Sequence, residues 1–241
     1  MKNTINRGIN KILFGIKNKN FEVAKSEYKA LKESMLEHNE CFKNQMWAIE
    51  SMIKSYEMYI ETYHLLKSKA YYQAWCKAEQ IELLVASLRL NNPYIYQYVV
   101  DIIDNIYLLQ SLYPYKLFAS YGIQIDEEKC SICDTVRKIR SNCNHRVGYV
   151  YNGHLCKNIV TKCKIHEISL VTNPVHKYAV AFLGSKNGSK DQYDYGIIEA
   201  LMMYWNKPYQ KWNYTVAKKD DIVNISFIFG RSFVISNLCY G

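Results

Sequence analysis

No stretch of the chain approaches the roughly 18 consecutive apolar residues of a membrane-spanning helix. The first twenty residues hold only Ile12-Leu13-Phe14 as an apolar run. That is too short for the core of a secretory leader, so a reducing, cytoplasmic setting without membrane contact is expected. There is no Gly-x-x-x-x-Gly-Lys-Ser/Thr loop and no dinucleotide fingerprint, so nucleotide chemistry lacks its usual phosphate cradle. No serine is set against a histidine as a hydrolase nucleophile requires. Acidic residues are scarce in the second half. Residues 129–241 carry 7 Asp and Glu against 16 Lys and Arg, whereas residues 1–128 carry 15 of each. The whole net charge of +9 therefore lies after Glu128. A localised basic surface attracts phosphates or acidic proteins, and an ordinary solvated surface is the plainer alternative.

What is present suffices for a core. Of 241 residues, 49% are hydrophobic and 22% charged, which excludes wholesale disorder and fits one or two domains. The first half reads as helices. Apolar or small residues recur at helical spacing over Phe21 to Leu36, Met46 to Leu66, Ala70 to Leu90 and Tyr94 to Leu112, with Ile5 to Ile16 as a further candidate. Asn91-Asn92-Pro93 marks a stop followed by a new start. The tyrosines at 94, 96, 98, 107, 113 and 115 read most simply as core and core-edge packing, with a base-stacking platform as the alternative. Cys41 and Cys76 fall in helical patterns and are expected to be inert core residues.

The second half changes period. Val147 to Tyr151 and His154 to Val160 flank Asn152-Gly153, the signature of a hairpin with a type I′ turn. Ile165 to Thr172 and Lys177 to Leu183 read as further strands, and Gly184 to Lys190 as a polar loop. Tyr193 to Trp205 reads as a helix, and Ile222 to Phe229 and Ser232 to Leu238 as a terminal strand pair. The expected fold class is α+β. An all-α domain over 1–125 precedes a basic, metal-stabilised domain over 126–241, with a small antiparallel sheet and one helix.

The sharpest signal is a run of cysteines and histidines. Five of the eight cysteines fall between Cys130 and Cys163. Cys130-Ser-Ile-Cys133 can turn two thiolates toward one ion, and Cys143-Asn-His145 follows after nine intervening residues. Together they form a Cys₃His set suited to tetrahedral Zn²⁺. Four protein ligands leave no open position, so such a site is structural. His154, Cys156, Cys163 and His166 follow closely; either Cys156 replaces one of the first four ligands or these residues form a second site. A redox role for Cys130 and Cys133 fits less well, because no thioredoxin-like βαβ context precedes them. Residues 129–160 hold few large aliphatics, so metal binding would supply folding free energy that burial cannot.

The residues Cys130-Ser-Ile-Cys133, Cys143-x-His145, Gly148-x-x-Tyr151-x-Gly153-x-x-Cys156 and Glu167-Ile-Ser-Leu-Val171 with Asn173-Pro174 resemble a zinc-binding segment of bacterial and bacteriophage proteins. The part from Glu167 to Pro174 also resembles a strand of phage prohead proteases. The resemblance covers about 45 residues. It implies a zinc-finger-like metal module and a phage or antiphage-defence association.

Several functions follow as expectations. The leading one is a zinc-stabilised, non-enzymatic binding protein. Arg137, Lys138 and Arg140 lie between the ligand pairs and, with Arg146, would face the phosphates of nucleic acid or an acidic protein. A second is a protein-only assembly role in which the helical half binds the partner. A third is a metal-dependent nuclease of HNH type using His145, Asn152 and His154, although His154 follows the turn too soon to lie on a helix.

Overall fold

A computed structural model describes residues 2–33, 39–138, 143–182, 191–208, 214–219, 222–227 and 231–236. The chain divides into two compact units, Met1–Tyr204 and Trp205–Gly241. The fold class is α+β, as expected.

The first unit begins with helices. α1 (Lys2–Lys17) and α2 (Phe21–Glu33) are short, whereas α3 (Glu40–Lys67) and α4 (Tyr71–Asn91) are long and pack against each other. Asn39 caps α3 by accepting a hydrogen bond from the Phe42 amide at 3.0 Å, supplying a partner that the first turn lacks. The core forms where α3 and α4 meet α6 (Val100–Leu112). Ala48, Ile49, Met52, Ala74, Ala78, Ile81, Val85, Leu88, Ile102, Ile106 and Leu109 are all buried there. Small residues on α3 and α4 allow close approach, and the branched aliphatics fill the space between.

The expected helix over Tyr94 to Leu112 is in fact two. α5 (Pro93–Tyr96) is one turn long, and α6 (Val100–Leu112) follows. Asn92 caps α5 by accepting from the Ile95 amide, and Pro93 suits the first helical position. The tyrosines divide. Tyr113 and Tyr115 are buried against Trp75, with ring centroids 5.0 and 5.1 Å away, whereas Tyr94 and Tyr107 are exposed. Cys41 corrects an expectation: it is exposed near the start of α3 rather than buried.

β1 (Phe118–Cys130) then leaves the helices. β2 (Val136–Arg137), β3 (Val150–Tyr151), β4 (His154–Leu155) and β5 (Asn158–Val171) follow. β1 and β5 pair antiparallel along nearly their full lengths, giving the order β2-β1-β5, and β3 and β4 form a separate hairpin. The expected boundary between residues 125 and 126 falls inside β1. β5 is one continuous strand where two were expected. Of the expected Lys177 to Leu183 strand, the described residues 177–182 make only a single bridge, Val180 to Phe118, with flanking backbone bonds to Leu117 and Ala119. α4 pins this segment instead: Trp75 Nε1 donates to Lys177 O at 2.7 Å, and Tyr72 donates to Tyr178 O at 2.8 Å. The Lys177 ammonium pairs with Glu82 and stands 3.6 Å from buried Glu79. α7 (Gly196–Tyr204) closes the first unit.

The second unit contains β6 (Tyr214–Lys219), β7 (Ile222–Phe227) and β8 (Arg231–Ser236), an antiparallel sheet in the order β6-β7-β8. Its last two strands match the expected terminal pair, and β6 is additional. The expected Gly184 to Lys190 loop and Cys239 lie outside the described residues.

Trp75 is 4% exposed and both packs and donates. Trp75→Ala should therefore lower stability by about 3–5 kcal/mol, read as a fall in the urea midpoint with an unchanged slope. A midpoint equal to wild type would show that the aromatic cluster is not a stability determinant.

Candidate metal centre

The site is assembled from the end of β1, the turn after it and the loop that leads into β3. Cys130 is the last residue of β1 and is fully buried. The chain then reverses within one tight turn. Asp134 takes φ 55°, its amide donates to Cys130 O at 2.9 Å, and the Cys130 amide donates to Thr135 O at 3.0 Å. β2 returns beside β1, with Lys129 opposite Val136. This turn puts Cys133 beside Cys130 and aims the Ile132 amide at Cys130 Sγ, 3.4 Å away.

The sequence pattern brings together the four residues it singled out first. The ligand atoms of Cys130, Cys133, Cys143 and His145 all lie within 4.8 Å of one another. Cys130 Sγ and His145 Nδ1 are 3.8 Å apart. In a tetrahedral site with sulfur about 2.3 Å from the ion, donor atoms stand about 3.8 Å from each other, so the group could hold a metal ion such as zinc. It is the one such group among the described residues.

Of the alternates, only Cys156 comes near. It is fully buried, with its sulfur 3.8 Å from that of Cys130. His154 is exposed on β4. Cys163 is exposed on β5 opposite Ile125, and His166 Nε2 meets Gln124 Oε1 at 3.1 Å. These three do not join the cluster.

The hairpin delivers Cys156. Asn152 and Gly153 adopt φ 49° and 80°, the two left-handed positions of a type I′ turn. Beyond β3 and β4 the pairing continues through Cys156 N to Tyr149 O at 2.8 Å and Gly148 N to Cys156 O at 2.9 Å. Ser131 fastens the cysteine turn to the hairpin, because its amide donates to Lys157 O and its hydroxyl accepts from the Lys157 amide. The hairpin is in turn held by the helices. Asn44 of α3 donates to Val150 O at 3.2 Å and accepts from the Gly153 amide at 2.8 Å. Asn91, the last residue of α4, donates to Gly148 O at 2.8 Å and accepts from the Val150 amide at 2.9 Å. Asn44 carried no signal in the sequence. Asn91 signals only a helix stop in the sequence.

Arg137, expected to face a partner's phosphates, instead turns to the cluster. Its guanidinium donates to His145 O at 2.8 Å and to Cys156 Sγ at 3.5 Å. Its Nε is buried without a hydrogen-bond partner. Lys138 and Arg146 are exposed beside the cluster, and Arg140 lies outside the described residues.

The environment favours thiolates at part of the site. Burial pushes the Cys130 thiol up, but the Ile132 and Cys133 amides and the Arg137 guanidinium outweigh it and hold it at about 5. Hydrogen bonds from Thr135 lower Cys133. Burial raises Cys143 and Cys156, and the hydrogen bond to Cys133 raises His145. Compared with known proteins, the chain matches no family model, no curated protein and no solved structure.

Because Cys130 is depressed in the folded chain, its stabilising charge is present above the ordinary thiol value of 9 and is lost as pH falls through about 5. Protons compete with metal for the same lone pairs, so bound metal should stay at neutral pH and leave only as pH falls below about 5, followed with a chromophoric chelator. Full retention at about pH 3 would contradict a thiolate site.

Proposed function

We propose that this chain is a non-enzymatic interaction protein. One Zn²⁺, held by Cys130, Cys133, Cys143 and His145, would fix the segment between β1 and β5. The observation that carries this reading is the convergence of those four donor atoms within 4.8 Å. Thiolate and imidazole donors select zinc over hard cations, and four protein donors close the coordination sphere to water, which suits a structural rather than a catalytic ion. Three thiolates and one neutral imidazole leave a zinc centre with one net negative charge. Arg137, donating beside it, offsets that charge.

In this reading the basic second half contacts an anionic partner, nucleic acid before acidic protein. What supports it is the +9 excess after Glu128 and the exposure of Lys138 and Arg146 on the segment the metal would hold. Arg137 has a positioning role within the centre instead of a contact role. The protein-assembly reading remains the second, supported by the apolar surface that the first unit leaves exposed.

Two measurements check the proposal. Elemental analysis of the purified protein should find about one zinc per chain, lost in Cys133→Ser and kept in Cys156→Ser. Loss in Cys156→Ser with retention in Cys143→Ser would instead make Cys156 a ligand, and no zinc in wild type would remove the reading. Binding to random-sequence duplex DNA should weaken steeply as salt rises, with a shallower slope in the double variant Lys138→Ala, Arg146→Ala. Absence of binding at low salt would remove the nucleic-acid part and leave the assembly reading.

A further inference from the structure

Among the described residues, β1 and β5 form a two-stranded ribbon anchored at its ends. At one end Phe118 is buried against Trp75, with ring centroids 6.2 Å apart. At the other, Cys130 enters the metal cluster. Between them every residue of β5 up to Leu170 is exposed. Isolated two-stranded ribbons are marginal in water, so a ribbon of this length calls for a cover on one face.

The register shows which face. Ala119 is opposite Leu170, Tyr121 opposite Ile168, Ile123 opposite Ile165 and Ile125 opposite Cys163. Residues two apart on a strand share a face, as do cross-strand partners. A register shift at His166 keeps the set aligned: an extra residue on β5 sits between the Gly122–Glu167 and Ile123–Ile165 pairs. These eight residues therefore make one uncharged, apolar face. The opposite face takes Ser120, Gln124, Lys164, Glu167 and Ser169, a solvated set. On the apolar side Tyr121 is 54% exposed, Ile123 48%, Ile125 45%, Ile165 and Ile168 64%, and Leu170 63%. Half-exposed side chains of this kind are ordinary singly. Six contiguous ones mark an interaction surface.

We propose that a second copy of this chain covers this face, making the protein a two-fold dimer through its β1–β5 ribbons. The area argues for it. The six side chains offer on the order of 700 Å² per copy, so two facing copies would bury about 1,400 Å², within the range of roughly 1,200–2,000 Å² for stable interfaces. Two chains of net charge +9 repel, and an uncharged patch lets them meet without placing like charges in contact. Nucleic acid fits the ribbon less well. β1 and β5 together carry four carboxylates (Asp126, Glu127, Glu128 and Glu167) against three lysines (Lys129, Lys162 and Lys164). A two-fold contact is self-complementary and closes without forming filaments.

Sedimentation velocity on the full-length protein tests this across a dilution series. Wild type should sediment at twice the 28.3 kDa chain mass and dissociate on dilution. Ile168→Asp and Ile165→Asp, made separately, should be monomeric at concentrations where wild type is dimeric, with wild-type circular dichroism. Gln124→Asp, on the opposite face, should remain dimeric. Hydrogen exchange on wild type decides the matter should either variant fail to fold. Amides of residues 118–130 and 158–171 should lose protection over the same dilution range as the mass falls. A wild type monomeric at every concentration overturns the proposal, whether another protein or nothing covers the face. A dimer that survives both Asp variants, or that dissociates without change in ribbon protection, overturns it too.

Discussion

Two asparagine side chains, Asn44 on α3 and Asn91 at the end of α4, hold the β3–β4 hairpin to the helices. Each donates to one hairpin carbonyl and accepts from one hairpin amide. A hairpin this short leaves polar backbone groups that must find partners wherever they are removed from water, and these two amides supply them. The rest of the site follows from that docking. The hairpin carries Cys156 to within 3.8 Å of Cys130 and gives Ser131 its backbone partners, which fixes the turn bearing Cys130 and Cys133. The helical part of the chain and its cysteine-rich part are therefore one compact unit through Tyr204.

Energetics explains why such a segment calls for an ion. Between Lys129 and Val160 only Cys130, Val150 and Cys156 are buried apolar residues among those described. Burial of so few side chains recovers only a few kcal/mol. Ordering the same segment costs roughly 1–2 kcal/mol per residue in backbone entropy. Structural zinc contributes on the order of 10 kcal/mol, enough to change the balance in the proposed holo state. Arg137 belongs to the same balance. A guanidinium directed at sulfur and at the His145 carbonyl is well placed to offset thiolate charge, but its Nε remains buried without a partner. Buried donors of that kind are costly.

Much of this was legible in the residues, and the gaps have physical causes. α1, α2 and α7 announce themselves by 3.6-residue periodicity, and Asn152-Gly153 by the left-handed turn it permits. The four converging donors were visible because Cys-x-x-Cys and Cys-x-His are local patterns. β1 was hidden. Tyr121, Ile123 and Ile125 alternate as a strand should, but Asp126-Glu127-Glu128 follows them, and acidic residues are poor strand formers. The inward turn of Arg137 could not be read, since a basic residue between ligand pairs looks the same whether it faces solvent or sulfur. Asn44 and Asn91 were equally silent, because their partners lie 106 and 57 residues away, at Val150 and Gly148. Lys177 to Leu183 has strand-like composition, yet the hydrogen bonds of Trp75 and Tyr72 hold its first residues against α4.

In the proposed holo protein, the order of the cysteine-rich segment depends on the donor set around the ion. X-ray absorption at the zinc K-edge of the purified full-length protein reads that set directly. The expected shell is three sulfurs at about 2.3 Å and one nitrogen at about 2.0–2.1 Å. A shell of oxygen and nitrogen alone, or a protein that carries no zinc to measure, would contradict it.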